Sequence, residues 1–568
     1  MNPPADPYDP RPAFWQRRPD LTWAAAVFAL TVLLTVVSFP PYKTPEIAYA
    51  FAAPAILWAY RRPGFRLFAW TLFAAQAVAW TIILAWLRHV NWVALLLLGP
   101  FVGAWVGSWY LAAWWAMPRM IGKAISTRLA AMLGLAGLWV LVEWTRTWFL
   151  GGFPWLPLAA SQWERAGVLQ LAAFTGAAGV SFVLVSFNIG FAAYMHRLVF
   201  EGPAAERRRN RELFTTEPLP DLGEVRDWGL RRRSQEFLLA LFMLLVCLSI
   251  FLPEIANSRP YREHLARVAF VQPDIPQEAK WDPAKADGII RTLRQVTLAA
   301  GASRPELILW PEAALPYPLN ADPGVRGFAE SVANDAGAPL FLGAVAVSGP
   351  RGPDEKWSDA AFAVEPGSGL QNAFYSKRHL VPFGEYIPLR PILGWLSKVV
   401  PIGGDFAPGT DATPIVVGLP RGAAALGPLI CYEDLFPSLS RESVLSGADA
   451  LVVVTNDAWY GEEGAAYQHA AHSVLRAVET RRPVLRCGNA GWSGWIDEYG
   501  GIRYVLTSGE GSVYFRGTGT INVTRDSRWT GKNSFYVQHG DWFVAVCAAL
   551  VLFGYWALRP FRNRIAET

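Results

Sequence analysis

Long runs of apolar residues without a charge dominate the first half of this chain and return near residue 550. A helix needs about 20 such residues to cross a bilayer, because its backbone polar groups must be satisfied within the segment. Only 17% of the residues are charged, against about 25% in soluble proteins, which agrees with a part solvated by lipid. The sequence predicts about eight membrane spans, at residues 21–40, 45–60, 66–87, 92–117, 129–149, 168–194, 237–252 and 542–558.

Lysine and arginine are concentrated in every second loop between these spans. The basic segments are residues 11–18, 61–66, 119–128, 207–233 and 559–564. The alternate loops carry little more than Lys43, Arg88, Arg146 and Arg165. Because basic loops stay in the cytoplasm, this alternation predicts cytoplasmic termini and places the region between the last two spans on the outer face. It also explains the net charge of +5 without nucleic acid, and no cleavable signal peptide is predicted.

The residues from about 266 to 523 show short apolar runs bounded by turn residues. VAFVQ from Val268 and ELILW from Glu306 are examples, and helical stretches such as 286–298 separate such runs. Buried strands separated by helices indicate an α/β domain. The predicted organisation is a membrane bundle over residues 1–255 with a basic cytoplasmic loop near 200–236, a soluble domain over 256–535, and a last span with a short tail over 536–568.

Among the four cysteines, Cys431 is the strongest candidate for chemistry. Cys247 and Cys547 lie in apolar spans and Cys487 ends the apolar run PVLRC, so each is interpreted as a small buried side chain. Cys431 ends the run GPLI and precedes the polar residues YED, where a predicted strand leaves the core. Ligands of open α/β sheets bind at such strand ends. On position alone, a structural thiol or a disulfide with Cys487 is the alternative.

Two further polar segments carry candidate residues. Glu312 follows the strand ELILW in the segment WPEAALP. Its apolar neighbours are expected to raise its pKa towards the working range of a general base, and a surface glutamate is the alternative. Lys377 and Glu385 lie in YSKRHLVPFGEYIP, which is otherwise apolar, aromatic and turn-forming. Since a lone lysine is usually solvated, a role for Lys377 depends on the other two sites.

The segments WPEAALP, YSKRHLVPFGEYIP and LICYED, in this order, resemble the Glu-Lys-Cys motifs of the nitrilase superfamily. They are most similar to those of the apolipoprotein N-acyltransferases of bacterial inner membranes, and the likeness covers nearly the whole chain. It includes WVLVEW from Trp139, GGFPWLPLA from Gly151, VQPDIPQEAKW from Val271 and NDAWYG from Asn456. The resemblance implies an αββα sandwich on a transmembrane bundle. One departure is CGNAGWSGW, where relatives often have Thr or Ala before Asn489.

The resemblance also implies roles for individual residues. Cys431 would be the nucleophile, Glu312 the general base and Lys377 the cation that faces the developing oxyanion. Glu385 would position the lysine and the substrate, and Glu433 would lie close behind the nucleophile. The family motifs near the substrate contain Trp281, Tyr432 and Trp459.

The implied reaction moves an acyl chain from a phospholipid, through a thioester on Cys431, to the N-terminal amine of a diacylglyceryl-modified lipoprotein. It would take place in the bacterial inner membrane, with a monomeric enzyme and a periplasmic catalytic domain. No cofactor or metal is expected, since the sequence has no Walker loop and no HExxH motif, and His469 and His472 are interpreted as structural. The alternatives are a membrane-anchored amidase or nitrilase acting on a small amide, and an inactive binding or transport protein.

Aromatic residues border the predicted outer end of the fifth span, at Trp148, Phe149, Phe153 and Trp155. Aromatic side chains favour the membrane–water interface. The loop at residues 151–157 is therefore predicted to form part of a lipid entrance, and a plain interfacial anchor is the alternative.

Overall fold

The structure is a computed structural model in which two parts can be recognised, a region of apolar helices and an α/β domain. It describes residues 19–201, 234–256, 258–280, 282–350, 352, 354–387, 390–394 and 406–559. Among these residues, five helices are long and apolar enough to cross a membrane. Three shorter apolar helices are Ala166–Thr175, Gln235–Ile250 and Trp542–Leu558. The predicted fold class is confirmed, whereas the predicted count of about eight spans is not.

Before the α/β domain, the described part of the chain has seven α-helices of eight residues or more. They are α1 (Pro19–Val37), α2 (Ala53–Tyr60), α3 (Phe65–Ile83), α4 (Trp92–Met120), α5 (Ile125–Thr145), α6 (Ala177–His196) and α7 (Gln235–Ala256). Short helices lie in their connections, at Leu87–Val90, Ala166–Leu169 and Ala172–Thr175. Large apolar side chains on the outer faces, such as Trp70 and Leu97, are exposed, as expected of a surface that meets lipid. The basic segment at 207–233 and both chain ends lie outside the described residues.

Two predicted spans are interrupted in the structure. The prediction of a continuous helix over 45–60 is wrong, because a turn of 3-10 helix at Pro45–Tyr49 precedes the eight-residue helix α2. Pro54 lies in the first turn of α2, where its missing N–H is tolerated, whereas it would break a longer helix. The predicted span over 168–194 begins instead at Ala177, because Gly176 has φ +66° and separates α6 from the short helices before it.

Among the described residues of the α/β domain, thirteen strands form two sheets. They are β1 (Arg262–Gln272), β2 (Leu307–Leu309), β3 (Leu340–Ser348), β4 (Lys356–Glu365), β5 (Gly369–Leu370), β6 (Tyr375–Ser376), β7 (Ile415–Leu419), β8 (Gly422–Ile430), β9 (Ala450–Thr455), β10 (Val484–Gly488), β11 (Gly494–Ile496), β12 (Ile502–Val505) and β13 (Gly517–Asp526). The first sheet has the order β13-β1-β2-β3-β4-β5, with β6 also paired to β4, and the second has the order β12-β11-β10-β9-β8-β7. Strands β1, β2 and β3 run parallel, as do β8, β9 and β10.

The two sheets pack face to face and carry helices on their outer faces. These helices are α8 (Ala286–Gly301), α9 (Pro323–Ala336), α10 (Pro437–Leu445) and α11 (Ala465–Thr480). Two short helices, Arg390–Leu393 and Phe535–His539, and α12 (Trp542–Leu558) complete the described chain. Alternate residues of β1 point to opposite sides, so Phe270 packs between the sheets and Val271 packs under α8 and α9. This arrangement confirms the predicted αββα sandwich.

Helix α11 differs from an ordinary outer helix of a sandwich because all of its residues except the half-buried Tyr467 are buried. One side packs on the second sheet, where Leu475 of α11 and Val453 of β9 belong to one apolar core. The other side faces the connection that follows α5, where Leu156 and Leu158 belong to the same apolar core. The α/β domain and the apolar helices are therefore joined by one continuous core.

The last helix, α12, packs closely along α5 through three glycines. A Cβ at Gly137 would lie 2.8 Å from the Cys547 carbonyl oxygen, and one at Gly134 would lie 2.9 Å from the Leu550 carbonyl oxygen. On the other side, a Cβ at Gly554 would lie 2.7 Å from the Ala130 carbonyl oxygen. Small residues allow helix backbones to approach in this way. The three glycines therefore let α12, which follows the α/β domain, pack against the helix bundle.

We expect Gly137→Leu to destabilise the protein, because the new side chain would force α5 and α12 apart. Overpacking of this kind costs about 1–3 kcal/mol. The measurement is the melting temperature of the full chain in detergent, with Gly288→Leu as a control in a helix where a Cβ would meet no atom within 4 Å. Equal melting temperatures for the two variants would contradict the close packing.

Candidate active site

Strand ends from the two facing sheets carry the predicted triad. Glu312 follows β2 after Trp310 and Pro311, Lys377 follows β6 directly, and Cys431 follows β8 directly. All three side chains are buried. The structure thus brings the three residues together at the edge where ligands of such sheets bind.

The backbone at Cys431 is strained. Its φ of +48° lies in the left-handed region, which costs a residue other than glycine about 1–3 kcal/mol. Pairing of Ile430 with Val454 fixes the strand before it, and one turn of 3-10 helix, Cys431–Leu435, follows it. The Cys431 carbonyl oxygen lies 3.1 Å from His469 Nε2. The surrounding structure therefore maintains an unfavourable conformation at one residue, the candidate nucleophile.

The Lys377 ammonium is fully buried among three carboxyl groups. Its Nζ lies 2.5 Å from Glu385 Oε1, 3.4 Å from Glu312 Oε1 and 3.7 Å from Asp359 Oδ2. Burial acts to lower the pKa of Lys377, but these carboxyls outweigh it and hold that pKa well above its usual range. The oxygens of the three carboxyls lie within 4.8 Å of one another, and the ammonium is the cation they surround.

Glu312 and Asp359 differ in protonation. Burial acts to raise the pKa of Glu312, but Lys377, Asp359 and Lys280 bring the net shift below its usual range. For Asp359, burial and the Glu312 charge raise the pKa well above its usual range. Asp359 therefore keeps its proton and donates it in a hydrogen bond to the Glu312 carboxylate. The expectation that apolar neighbours raise the pKa of Glu312 is wrong, because two buried lysines lie beside it.

The Cys431 thiol is held in its protonated form. Burial raises its pKa well above the usual range, and the Glu312 carboxylate adds to that effect. Lys377 and a hydrogen bond with Thr455 act in the opposite direction. Tyr460 Oη lies 4.0 Å from the sulfur. A thiolate can therefore form here only as its proton passes to a base, and ionised Glu312 is the neighbouring carboxylate.

Glu433 connects the nucleophile turn to the lysine segment. Its carboxylate accepts hydrogen bonds from the Ile430 N–H at 2.8 Å, the Arg378 N–H at 2.6 Å and the Tyr375 hydroxyl at 2.8 Å. Burial raises the pKa of Glu433, and these donors act against that shift. Because the donors flank both Cys431 and Lys377, Glu433 fixes their relative position.

Of the remaining predicted residues, Tyr432 and Trp459 lie in the part of the chain that the structure describes. The Tyr432 hydroxyl donates to the Gly152 carbonyl oxygen at 2.7 Å, which ties the nucleophile turn to the connection after α5. Trp459 lies on the turn Asp457–Tyr460 and is 43% exposed. Trp281 lies outside the described residues.

Asn489, at the departure from the family pattern, exchanges hydrogen bonds with the Ile275 backbone and so anchors the segment that leads to Lys280.

The other three cysteines are buried and free. The Cys487 thiol lies between the sheets and contacts the carbonyl oxygens of Val271 and Leu309 at 3.4 and 3.3 Å. A disulfide with Cys431 is not formed. The interpretation of Cys487 as a core residue agrees with this position.

Sequence reasoning did not single out Asp359 or Lys280. Asp359 is the one charged residue in the apolar part of β4, SDAAFAV, and an acidic residue within a buried strand was the available signal. Lys280 directly follows the turn of 3-10 helix at Gln277–Ala279, and its only signal in the sequence was its place in the motif QEAKW.

A buried thiol, carboxylate and ammonium at the strand ends of an αββα sandwich define an enzyme domain of the nitrilase class. Residues 267–510 match the carbon-nitrogen hydrolase family. Residues 31–190 match the family described as the apolipoprotein N-acyltransferase N-terminal domain.

Curated relatives cover both parts together. The chain is 31% identical over 453 residues to the apolipoprotein N-acyltransferase of Brucella melitensis, which covers 78% of this chain and 76% of that one. It is 29% identical over 534 residues to the one of Geobacter metallireducens, with 92% of each chain covered. This chain belongs to the apolipoprotein N-acyltransferase family.

Among solved structures, an amidase from Nesterenkonia sp. is 20% identical to this chain. The match covers 46% of this chain and 90% of the amidase, with a TM-score of 0.33.

If Cys431 takes up an acyl group, as the family resemblance implies, we expect the Asp359→Asn variant to do so at close to the native rate, because an amide still donates a hydrogen bond to Glu312. Asp359→Leu removes the donor, and a hydrogen bond to a charged group is worth about 1.5–3 kcal/mol, so acylation is expected to slow about tenfold or more. The measurement is the rate of acyl adduct formation on Cys431 by intact mass spectrometry. Equal rates for the two variants would show that Asp359 does not act on Glu312.

Proposed function

We propose that this protein is a phospholipid:apolipoprotein N-acyltransferase that works through a thioester on Cys431. The observation that carries the proposal is the position of the nucleophile turn beside the membrane helices. Tyr432 binds the Gly152 carbonyl oxygen, and His379 Nε2 lies 3.0 Å from the Gly151 carbonyl oxygen. Tyr432, next to the thiol, and His379, two residues after Lys377, thus contact the segment that leaves α5. A thiol so placed can receive chains from lipid.

The first half of the reaction forms the thioester. Glu312 takes the proton of the Cys431 thiol as the sulfur attacks the ester carbonyl carbon of the phospholipid. The oxyanion is stabilised by the Lys377 ammonium and by the Tyr432 backbone N–H at the start of the 3-10 turn. One such donor is worth about 3–4 kcal/mol in the transition state. The carbon–oxygen ester bond then breaks, and lysophospholipid leaves with the proton from Glu312.

The second half consumes the thioester. The neutral N-terminal amine of the diacylglyceryl-modified lipoprotein attacks the thioester carbonyl, and Glu312 accepts the proton that the nitrogen loses. The carbon–sulfur bond breaks, the new amide forms, and the thiolate recovers the proton from Glu312. Lys377 again faces the oxyanion, and Glu385 holds Lys377 in place. No nucleotide or metal takes part in these steps.

Exclusion of water favours aminolysis of the thioester over its hydrolysis. The loop at 151–157 helps to exclude water from the site. Trp148 and Phe149, before this loop, are 53% and 39% exposed, as befits side chains that meet lipid. Trp155 is buried instead, and its Nε1–H donates to Gln468 Oε1 of α11 at 2.9 Å. The exposed residues Trp148 and Phe149 therefore border the proposed lipid entrance. The buried Trp155, at the other end of this segment, anchors the bundle to the catalytic domain.

The proposal includes an orientation and a domain organisation. We place the protein in the inner membrane, with both termini in the cytoplasm. The helix bundle comprises residues 1–255, the periplasmic catalytic domain residues 256–535, and the last helix with its tail residues 536–568. The alternation of basic loops in the sequence supports this orientation. The enzyme is also proposed to act as a monomer.

We expect purified wild-type protein incubated with phospholipid to gain the mass of one acyl chain on Cys431. Cys431→Ala removes the nucleophile and Glu312→Gln removes the base, so neither variant is expected to form the adduct. Cys487→Ala, which removes a core thiol away from the triad, is the control and retains the adduct. Absence of the adduct in wild type, or hydrolysis of a small amide in its place, would contradict the proposal.

A further inference from the structure

A second lysine, Lys280, is buried beside the triad, and the reaction steps above do not use it. Its Nζ donates a hydrogen bond to the Glu312 backbone carbonyl oxygen at 3.0 Å, and the residue is 4% exposed. It follows the turn Gln277–Ala279 in the segment between β1 and α8. Lysines are almost never buried unless they are paired, so this position calls for a partner of opposite charge.

The groups that face Lys280 come from three separate elements. Glu312 follows β2, Asp359 lies in β4 and Cys431 follows β8, and each interacts electrostatically with the ammonium. Burial lowers the pKa of Lys280 to about 8, and the three groups act in the opposite direction. Lys280 therefore carries its charge at neutral pH, in contact with the residue proposed as the general base.

The charges of the buried cluster balance only if Lys280 is included. Asp359 is neutral because it keeps its proton, which leaves the carboxylates of Glu312 and Glu385 against the ammonium groups of Lys377 and Lys280. When the proton of Cys431 passes to Glu312, one negative charge moves from carboxylate to sulfur and the sum stays at zero. Without Lys280, the cluster would hold an unbalanced buried negative charge before and after this transfer, which is costly.

We propose that Lys280 is a positioning residue that holds the Glu312 backbone at the strand end and keeps the cluster neutral, so that Cys431 can ionise. The inference rests on the proposed roles of Cys431 and Glu312, but it concerns ionisation and not the substrates. A lysine that only filled space would leave the ionisation of Cys431 unchanged when replaced by a side chain of similar length.

The test follows alkylation of Cys431 by iodoacetamide across pH, on the full chain in detergent, by peptide mass spectrometry. Because only the thiolate reacts, the pH at half-maximal rate reports its ionisation. The other titratable or charged groups that act on Cys431 stay constant among the single variants, and they are Glu312, Lys377, Tyr432, Asp457, Tyr460 and Arg486.

Lys280→Met is expected to move the half-maximal pH upward by about one unit, since a nearby cation favours the thiolate. Lys280→Arg retains a cation and is expected to stay closer to wild type. Lys285→Met is the matched control, because Lys285 lies in the same segment with a side chain 53% exposed and is expected to leave the profile unchanged.

An unshifted profile in Lys280→Met would overturn the proposal. If Lys280→Met does not fold, the double variant Lys280→Met with Glu312→Gln decides the question, because removal of the partner charge should restore a measurable melting transition. Failure of the double variant to recover would also overturn it. Acyl transfer is not part of either readout, so the outcome is distinct from success or failure of the proposed function.

Discussion

The burial of the Lys377 ammonium is the constraint on which the rest of the active site depends. An isolated ammonium in a protein interior is too costly to keep, so carboxyls must surround it. Glu385 and Glu312 supply the negative charge that pairs with the ammonium. Asp359 keeps its proton because it is buried beside the Glu312 carboxylate. The same field leaves Glu312 ionised and able to accept a proton from Cys431. The charges of the cluster therefore keep Glu312 ionised, and burial keeps the Cys431 thiol neutral until Glu312 accepts its proton.

The second organising feature is α11, which contacts both the nucleophile and the membrane bundle. On one side His469 lies between Asp457 and Asp434 and reaches the Cys431 carbonyl oxygen. Burial acts to lower the pKa of His469, but these carboxylates raise it above the usual range. On the other side Gln468 accepts hydrogen bonds from Trp86 and Trp155, and His472 accepts one from the Leu156 N–H. The strained nucleophile turn is thus supported by a helix whose outer face is covered by the bundle.

The sequence was sufficient for features that depend on local pattern. Apolar runs predicted the membrane helices, and alternation of strands and helices predicted an α/β domain. The ordered motifs carried the family resemblance, which implied the αββα sandwich and brought Glu312, Lys377 and Cys431 into one hypothesis. It was insufficient where neighbours distant in sequence decide the outcome. Asp359 matters because β4 pairs with β6 and places it beside Lys377, and the pKa of Glu312 falls because Lys280 and Lys377 converge on it. The break at Gly176 likewise depends on a backbone conformation that composition does not reveal.

The most direct test of the account follows the fate of the thioester. Protein acylated on Cys431 and freed of phospholipid would be mixed with a diacylglyceryl-modified lipopeptide, and the acyl chain would be traced by mass spectrometry in a single turnover. The account predicts that the chain appears on the lipopeptide amine as Cys431 returns to a free thiol. Release of the chain as free fatty acid, with no acylated lipopeptide, would contradict it.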